Sequence, residues 1–345
     1  MRRGVFVTAA VMSAMAWPAG TSAQKNLDRL LVPLTDVSIN KVPYIAAKEA
    51  GLYEKYGLDV QLYITEGAAR KGEGDGMAPP QEFVGGPEGQ RPDLSTGGGV
   101  GLTVGKARRG GDNVILATTD HTLRWHVYAK PEIKTVAQLK GKRLGVTGNS
   151  SCTGLIGHII ADKMGWTVAW GEAGKDLNLV RASEKRLDAL ADNRADAVVI
   201  NELGFTHAAK MGLKPLIDLS TWDEPFLCSG VSASKGWLQQ SGNRDKALRF
   251  LKATLEGIAL MHKKDPVALR AIGKWWGVPD REIQRRMLMT GGEIPRTPYP
   301  NVDGIKLVMR LYDSPEMRKM KPEDFYDDSL MRELDKSGFI ASLYK

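Results

Sequence analysis

Apolar and polar positions near the start of the chain follow the order strand, helix, strand. Residues 30–32 form a short apolar run, and residues 60–64 alternate between apolar and polar side chains as a half-buried strand does. Between them, apolar residues recur at helical spacing over 45–52, and Gly51 and Gly57 stand where helix-ending turns require a positive φ. The pattern predicts a βαβ unit with a loop at the carboxyl end of its first strand, the edge where open α/β sheets bind ligands.

The middle of the chain repeats this alternation. The predicted elements are, in order, helix 102–109, strand 113–117, strand 125–130, strand 142–146, helix 155–164, strand 177–180, helix 183–193 and strand 195–200. Strands separated by helices predict a parallel sheet. The chain then returns through residues 226–234, and we pair this segment with the strand at 125–130 as the two crossovers of a hinge.

The remaining segments are of two kinds. From residue 243 the chain is predicted to be helical, with a first run that Asp265-Pro266 stops and amphipathic segments at 302–312 and 323–336. Residues 66–100 are instead rich in Gly, Pro and charge. Because such a composition does not hold a long helix, we predict a loop with at most one short turn there.

Three segments resemble one family. They are residues 43–61, PYIAAKEAGLYEKYGLDVQ, residues 133–146, IKTVAQLKGKRLGV, and residues 323–340, EDFYDDSLMRELDKSGFI. They resemble the opening, the start of the second lobe and the C-terminal signature of periplasmic solute-binding proteins of the nitrate, sulfonate and thiamine-pyrimidine transport family. The resemblance covers nearly the whole chain after its first residues. It is weakest over 66–100, where family members carry a regular helix before an Asp-Ile-Ala strand.

The resemblance implies a fold and a domain organisation. It implies the α/β, type II periplasmic binding protein fold, with two α/β lobes joined by two crossover strands. Residues 24–121 and 230–345 would build the larger lobe, and residues 122–229 the smaller. The family's mechanism is hinge closure on a small-molecule ligand, after which the membrane permease of an ABC importer recognises the closed protein, expected here to be a monomer.

The N-terminus predicts export to the periplasm. Arg2 and Arg3 precede a mostly apolar run that is too short to cross a bilayer, and small residues up to Ala23 suit a cleavage site. We predict a signal peptide over residues 1–23, against the alternatives of a buried first helix or a membrane anchor. The arginine pair is a weak indication of twin-arginine export, and no cysteine follows the cleavage point to carry a lipid.

Net charge excludes little on its own. Removing residues 1–23 takes away two arginines and no acid, so the formal charge falls from +8 to +6. A modest basic excess without a recognised nucleic-acid motif argues against nucleic-acid binding.

Candidate ligand-binding residues cluster in two predicted loops. The segment Asn149-Ser150-Ser151-Cys152-Thr153 lies between a strand and a helix, where free backbone N–H groups and hydroxyls suit a carboxylate, sulfonate or phosphate. The alternative is an ordinary helix cap. Across the presumed cleft lie Ser38, Asn40 and Tyr44, with Tyr44 either stacking on a planar ligand or packing beneath its lobe. Gly98 and Gly99 would let backbone approach a ligand, or form a flexible turn.

A second group of candidates lies at the crossovers. They are Thr118, Asp120 and Arg124 at the first crossover, Asn201 and Glu202 after a buried strand, and Trp222 and Phe226 beside the return crossover. Arg124 would hold an anion, whereas the carboxylates would favour an amine or a ring N–H. Hinge hydrogen bonding is an equal alternative for Thr118 and Asp120. The two aromatic residues would form the walls of a pocket for an aromatic ligand.

Catalytic and metal chemistry has little support. No Gly-x-Ser-x-Gly or His-Glu-x-x-His motif occurs, and the five histidines lack metal-ligand spacing. Cys152 and Cys228 are the only cysteines, and the sequence leaves open whether they are bridged. A pyrimidine-forming enzyme branch of the resembled family carries a cysteine-rich motif that two isolated cysteines do not reproduce. We therefore predict no enzyme and no cofactor, but a binding protein for an anionic or aromatic solute. The alternatives are a pyrimidine-precursor enzyme and a ligand-sensing subunit of a membrane receptor.

Overall fold

The computed structural model describes residues 26–171, 173–182, 185–290 and 294–345. The predicted signal peptide lies outside these residues. The opening βαβ unit is confirmed, because β1 (Asp28–Leu34) and β2 (Leu58–Ile64) pair in parallel and are joined by helices α1 (Val42–Glu49) and α2 (Leu52–Lys55). The loop that leaves the carboxyl end of β1 carries residues 35–41.

The loop prediction for residues 66–100 is wrong over its first part. Helix α3 runs over Glu66–Gly74, with the Thr65 side chain accepting a hydrogen bond from the backbone N–H of Ala68 at 3.3 Å. Three glycines weaken this helix, but tertiary packing outweighs propensity. At Gly72 a Cβ would lie 3.1 Å from the side chain of Val37, so the glycine lets the helix pack closely under the ligand-edge loop. Beyond α3 the segment is irregular apart from a 3-10 turn at Gln81–Phe83.

A second strand pair completes the sheet layer of the first lobe. Strand β3 (Asn113–Asp120) pairs antiparallel with the last strand of the chain, which runs over Ser229–Ser234. The segment at Asp93–Gly98 lies between the two strand pairs, since Asp93 N donates to Leu31 O at 3.0 Å and Ser95 N donates to Ser232 O at 2.9 Å. Helix α4 (Gly99–Arg109) leads into β3.

The second lobe contains a six-stranded sheet. Its strands are β4 (His126–Ala129), β5 (Lys142–Val146), β6 (Val168–Trp170), β7 (Leu177–Arg181), β8 (Ala197–Ile200) and β9 (Pro215–Asp218), in the spatial order β6-β7-β5-β8-β4-β9. As predicted, the four neighbouring strands β6, β7, β5 and β8 are parallel. Strand β4 runs antiparallel to both of its neighbours, β8 and β9. The strand at Ser229–Ser234, β10, belongs to the other lobe.

Two sequence predictions need correction here. The pairing of the return segment with the strand at 125–130 is wrong: β10 pairs with β3, and Asp120 faces Ser229, so the chain leaves and re-enters the first lobe side by side. The helix predicted at 183–193 is shorter in the structure, where α6 spans Asp188–Ala191. Residues 183 and 184 lie outside the described ranges. Lys185 and Asn193 have positive φ angles of 48° and 56°, which interrupt a right-handed helix on both sides.

The other helices complete both lobes. In the second lobe they are α5 (Cys152–Met164) and α7 (Phe205–Lys210). The C-terminal region contains α8 (Lys235–Gln239), α9 (Asn243–His262), α10 (Pro266–Trp276), α11 (Arg281–Thr290), α12 (Val302–Leu311), α13 (Ser329–Lys336) and α14 (Phe339–Ser342). None of the helices in the described part of the chain has the length and apolar character needed to cross a membrane.

Two large apolar cores hold the molecule together. The first packs α1, β1 and β2 against α9 and α10, with Phe250 stacked on Tyr53 at 5.4 Å between ring centroids. The second joins β5 and α5 to α4 and α12, so it continues from one lobe into the other. The lobe boundaries given above, at residues 121 and 229, stay predictions.

Candidate ligand-binding site

A cavity of about 280 Å³ lies between the two lobes. The first lobe lines it with the loop after β1, the end of α3 and the start of α4, and the second lobe with Trp125, Arg186, Asn201 and the loop after β5. A further groove of about 350 Å³ is lined by the α10–α11 region alone and includes none of the predicted site residues. The interlobe cavity is the candidate site, because residues distant in sequence from both lobes converge there.

Eight predicted residues line this cavity. They are Ser38, Asn40, Gly98, Ser150, Ser151, Cys152, Thr153 and Asn201. The edge of the opening βαβ unit thus faces the loop that precedes α5, as the sequence suggests for the two sides of a cleft.

Two hydroxyls of the loop after β5, those of Ser151 and Thr153, make hydrogen bonds to nearby backbone groups. Ser151 Oγ accepts from Gly154 N at 3.1 Å and donates to the Gly148 carbonyl oxygen at 2.6 Å. Thr153 Oγ1 accepts from Thr147 N at 2.8 Å. The helix-cap interpretation therefore describes Ser151, whereas Thr153 bonds the residue that follows β5, and the N-terminus of the 13-residue α5 with its partial positive charge lies at the cavity wall.

Asn149 supports this loop and does not line the cavity. Its carbonyl oxygen accepts a hydrogen bond from the Tyr312 hydroxyl at 2.6 Å, and its Oδ1 lies 2.9 Å from His158 Nε2. The predicted ligand contact at Asn149 is replaced by these two contacts, one from α5 and one from the residue that follows α12.

Cys152 and Cys228 form a disulfide, with 5.1 Å between their Cα atoms. Cys152 is the first residue of α5, and Cys228 lies on the return crossover, where its N–H donates to Asp120 O at 3.1 Å. Both cysteines line the cavity. The bond that the sequence left open therefore connects the ligand-facing loop of the second lobe to the crossover.

The loop after β1 contains a buried cation. Lys41 is fully buried, forms an ion pair with Asp36 at 2.9 Å and donates to Asn40 Oδ1 at 2.7 Å and to the Ser229 hydroxyl. Asn40 in turn donates to Asp120 Oδ2 at 3.0 Å. Asp36 and Asn40 line the cavity, so Lys41 fixes both from behind.

Three predicted residues form a buried network beside the cavity. Asp120 accepts from Arg124 at 3.2 Å, and Glu202 Oε1 accepts from Ile39 N at 3.2 Å. Burial raises the pKa of Asp120, although Arg124 and Lys41 oppose that shift, and burial also raises the pKa of Glu202. None of the three lines the cavity. Arg124 Nη2 is paired with Asp120, and the anion-binding role of Arg124 stays a prediction.

The remaining predicted residues lie away from the cavity. Tyr44 is fully buried beneath its lobe, with its hydroxyl 3.4 Å from Thr119 Oγ1, and Phe226 is fully buried in the second core. Trp222 lines a separate cavity of about 700 Å³. Thr118 Oγ1 accepts from Asn301 N at 3.1 Å, and at Gly99 a Cβ would lie 2.6 Å from the Leu227 side chain. Of the two alternatives for Tyr44, the structure matches packing beneath its lobe, and Phe226 lies in a core instead of a pocket wall. The wall role of Trp222 stays a prediction.

Other residues of the cavity wall were missed by sequence reasoning. They are Thr35, Asp36, Val37, Lys71, Asp75, Gly101, Trp125, Thr147, Arg186 and Cys228. Asp75 and Arg186 come from opposite lobes, and Arg186 Nη2 donates to both carboxylate oxygens at 3.0 and 2.7 Å. Burial raises the pKa of Asp75, and the guanidinium opposes that shift. No local pattern marks this pair, since its partners are 111 residues apart.

Over the described ranges, no group of three or more His, Cys, Asp or Glu side chains is arranged to hold a metal ion.

Two α/β lobes, a chain that crosses twice between them and a cavity at their interface define the type II periplasmic binding protein fold. The resemblance to the nitrate, sulfonate and thiamine-pyrimidine family is confirmed, since residues 106–268 match the family model described as NMT1/THI5 like. No curated protein sequence matches the chain.

Solved structures with this fold include two proteins named for their ligands. The periplasmic nitrate-binding protein NrtA from Synechocystis PCC 6803 has a TM-score of 0.68 and 14% identity, covering 92% of this chain and 91% of that chain. The alkanesulfonate-binding protein SsuA from Xanthomonas axonopodis pv. citri, bound to MOPS, has a TM-score of 0.60 and 14% identity, covering 86% and 96%. A protein from Bordetella bronchiseptica RB50 has a TM-score of 0.66 and 16% identity, covering 90% and 98%. At these identities the similarity establishes the fold.

Proposed function

We propose that this protein is a periplasmic solute-binding protein, which captures a small organic solute between its lobes and delivers it to the membrane permease of an ABC importer. One observation carries the proposal: a cavity of about 280 Å³ is lined by both lobes at the ligand-binding edge of the opening βαβ unit. The NMT1/THI5-like match and the nitrate- and alkanesulfonate-binding proteins of the same fold support it.

The mechanism follows from where the cavity lies. A ligand that touches both lobes binds the closed state more tightly than the open state and so stabilises it. The permease then recognises the surface of the closed protein. Direct interlobe contacts already surround the site. Asp75 meets Arg186 across it, and Ile39 N meets Glu202. The ligand completes an interface that the protein has partly built.

Gly101 offers a way to test the site without knowing the ligand. It lies in α4 and lines the cavity, and a Cβ built on it would lie 3.5 Å from the Ser150 carbonyl oxygen of the opposite lobe. A leucine at this position would therefore occupy the space between the lobes. Gly67 in α3 is a matched control, since it is also a helical glycine, but a Cβ there meets nothing within 4 Å.

The experiment is calorimetry and thermal shift of wild type, Gly101→Leu and Gly67→Leu against millimolar organic acids, sulfonates, nitrate, amides and pyrimidines. A ligand should raise the melting temperature of wild type and of Gly67→Leu, and should lose binding in Gly101→Leu. If no compound stabilises the wild-type protein, or if Gly101→Leu binds as well as wild type, the proposed function of this cavity is wrong.

A further inference from the structure

Two polar atoms in the cavity wall stand out among the described residues. Arg186 Nε and Asn201 Oδ1 are buried and have no hydrogen-bond partner within the described part of the chain. Both residues line the cavity, and each is only 5% exposed. Buried polar groups in proteins are nearly always paired, so a donor and an acceptor without partners on two cavity-lining residues are groups that a ligand in the cavity can pair with.

The position of the Arg186 donor is fixed from the opposite lobe. Both carboxylate oxygens of Asp75, at the end of α3, accept hydrogen bonds from Arg186 Nη2, and both side chains are buried. Asp75 itself packs against Gly204, where a Cβ would lie 3.4 Å from its Oδ1. The carboxylate thus holds the guanidinium in one orientation, and the Arg186 Nε–H does not donate to it.

The charges around the cavity disfavour a simple anion. Lys41 is paired with Asp36, Arg186 with Asp75, and Arg124 with Asp120. Of the charged side chains that line the cavity itself, two are cations, Lys71 and Arg186, and two are carboxylates, Asp36 and Asp75, so the lining has no formal excess of positive charge to select a nitrate or alkanesulfonate ion. It also brings no hydrogen-bond donor for Asn201 Oδ1.

We propose that Arg186 Nε–H and Asn201 Oδ1 bind the ligand directly, and that the ligand is a small uncharged solute with an acceptor oxygen and an N–H donor, as in amides and ureas. The carbonyl oxygen of such a solute meets Arg186, and its N–H meets Asn201. The partial positive charge at the N-terminus of α5 suits the same oxygen. This assignment rests on the proposed function of the cavity and specifies its ligand class.

The test uses named probes and two independent variants. N-methylurea, acetamide and uracil are compared with nitrate and methanesulfonate by calorimetry on the disulfide-intact protein. Arg186→Lys keeps the charge but removes the Nε–H, and Asn201→Ala removes the acceptor without breaking an ion pair. Arg143→Lys is the matched control, because Arg143 is also paired with a carboxylate, Asp196 at 2.9 Å, but does not line the cavity.

We expect at least one amide-type probe to bind more tightly than nitrate and methanesulfonate. Arg186→Lys and Asn201→Ala should each weaken it by roughly tenfold or more, the loss typical of a buried hydrogen bond, while Arg143→Lys binds like wild type. Tighter binding of nitrate or methanesulfonate overturns the ligand class. Probe binding that both variants leave unchanged overturns the two contacts, with the proposed function intact. Failure of every probe, anions included, counts against the proposed function as well.

Asp75 acts in this scheme as a positioning residue. Asp75→Asn should weaken the same probe and also reduce the ligand-induced decrease in radius of gyration measured by small-angle X-ray scattering. A purely structural role would lower the melting temperature but leave both the affinity and the compaction of the folded protein unchanged.

Discussion

Cys152 at the start of α5 is covalently joined to Cys228 on the return crossover, across a sequence separation of 76 residues. The bond closes a loop that includes most of the second lobe. We predict that replacing both cysteines by serine lowers the free energy of unfolding by about 2–4 kcal/mol, since the unfolded chain gains conformational freedom. Denaturant titration measures the loss. Reductant should destabilise the wild type by a similar amount and leave the double variant unchanged; equal sensitivity of both proteins would contradict the prediction.

The hydroxyl of Tyr312 anchors the ligand-facing loop through the carbonyl oxygen of Asn149. Tyr312→Phe leaves that carbonyl without its donor, and we expect a loss of about 1 kcal/mol in unfolding free energy. Tyr299→Phe is the control, because the Tyr299 hydroxyl donates to an exposed carboxylate, Asp335 Oδ2 at 3.0 Å, and water can replace that bond. An equal or larger loss in the control would argue against the anchoring role.

The stability of the protein should fall with acidification through His158. Burial lowers the pKa of His158 to about 4, with a further contribution from Arg108. The unfolded chain, with a histidine pKa near 6.5, then binds the proton more tightly than the folded protein. The stabilisation is fully present above pH 6.5 and is lost between pH 6.5 and 4, by up to about 3 kcal/mol.

Denaturant unfolding of wild type and His158→Gln at pH 7 and pH 4.5 measures this contribution. The variant should lose less stability between the two pH values, because its side chain does not titrate. The same pH dependence in both proteins would assign the acid sensitivity to other groups.

Lys41 and Asp36 form an ion pair with unequal exposure. Lys41 is fully buried, whereas the Asp36 side chain is 35% exposed. Asp36→Asn removes the ion-pair partner of a buried ammonium, but Lys41→Met leaves a carboxylate that water can reach. We therefore predict that Asp36→Asn is the more destabilising, by roughly 3 kcal/mol, in urea titrations without ligand. The reverse order would show that the carboxylate depends on the pair more than the ammonium does.

Helices α1 and α9 approach closely at Gly257. A Cβ at this position would lie 2.1 Å from the Pro43 carbonyl oxygen, so Gly257→Ala forces the helices apart. We expect a loss of about 1–3 kcal/mol in unfolding free energy, by overpacking. Gly67→Ala should instead gain about 0.5–1 kcal/mol, because that glycine lies in a helix with open space around it. A neutral Gly257→Ala would mean that the interface relaxes easily.

Local sequence patterns were sufficient for most of the framework. The period of apolar residues and the glycines at 51 and 57 predict the opening βαβ unit, and both glycines have positive φ angles, 66° and 71°. Helix α3 was not predicted because its glycines lower helix propensity, and the close approach of Gly72 to Val37 forms only in the folded protein. The short length of α6 was not predicted, because the residues whose positive φ angles bound it, Lys185 and Asn193, are not glycines.

Most of the predicted residues that line the site follow the edge of a sheet. Ser38, Asn40 and the 150–153 loop lie at strand ends, and a topological rule finds such positions. Asp75 and Arg186 meet only when the lobes are assembled, and neither residue lies in a motif. Phe226 was predicted as a ligand wall, and Tyr44 was left open between a ligand contact and core packing, because sequence does not distinguish an aromatic ring facing a cleft from one facing a core.

The pairing of β3 with β10 has a consequence for biosynthesis. Strand β3, which ends at Asp120, cannot pair with β10 until Ser229 has been synthesised, roughly 110 residues later. At 5–20 residues per second, the ribosome needs on the order of 5–20 s to supply that segment. The six strands of the second lobe, β4 to β9, are all made within that interval, so the sheet of the inserted lobe is complete in sequence before the lobe that carries it can close.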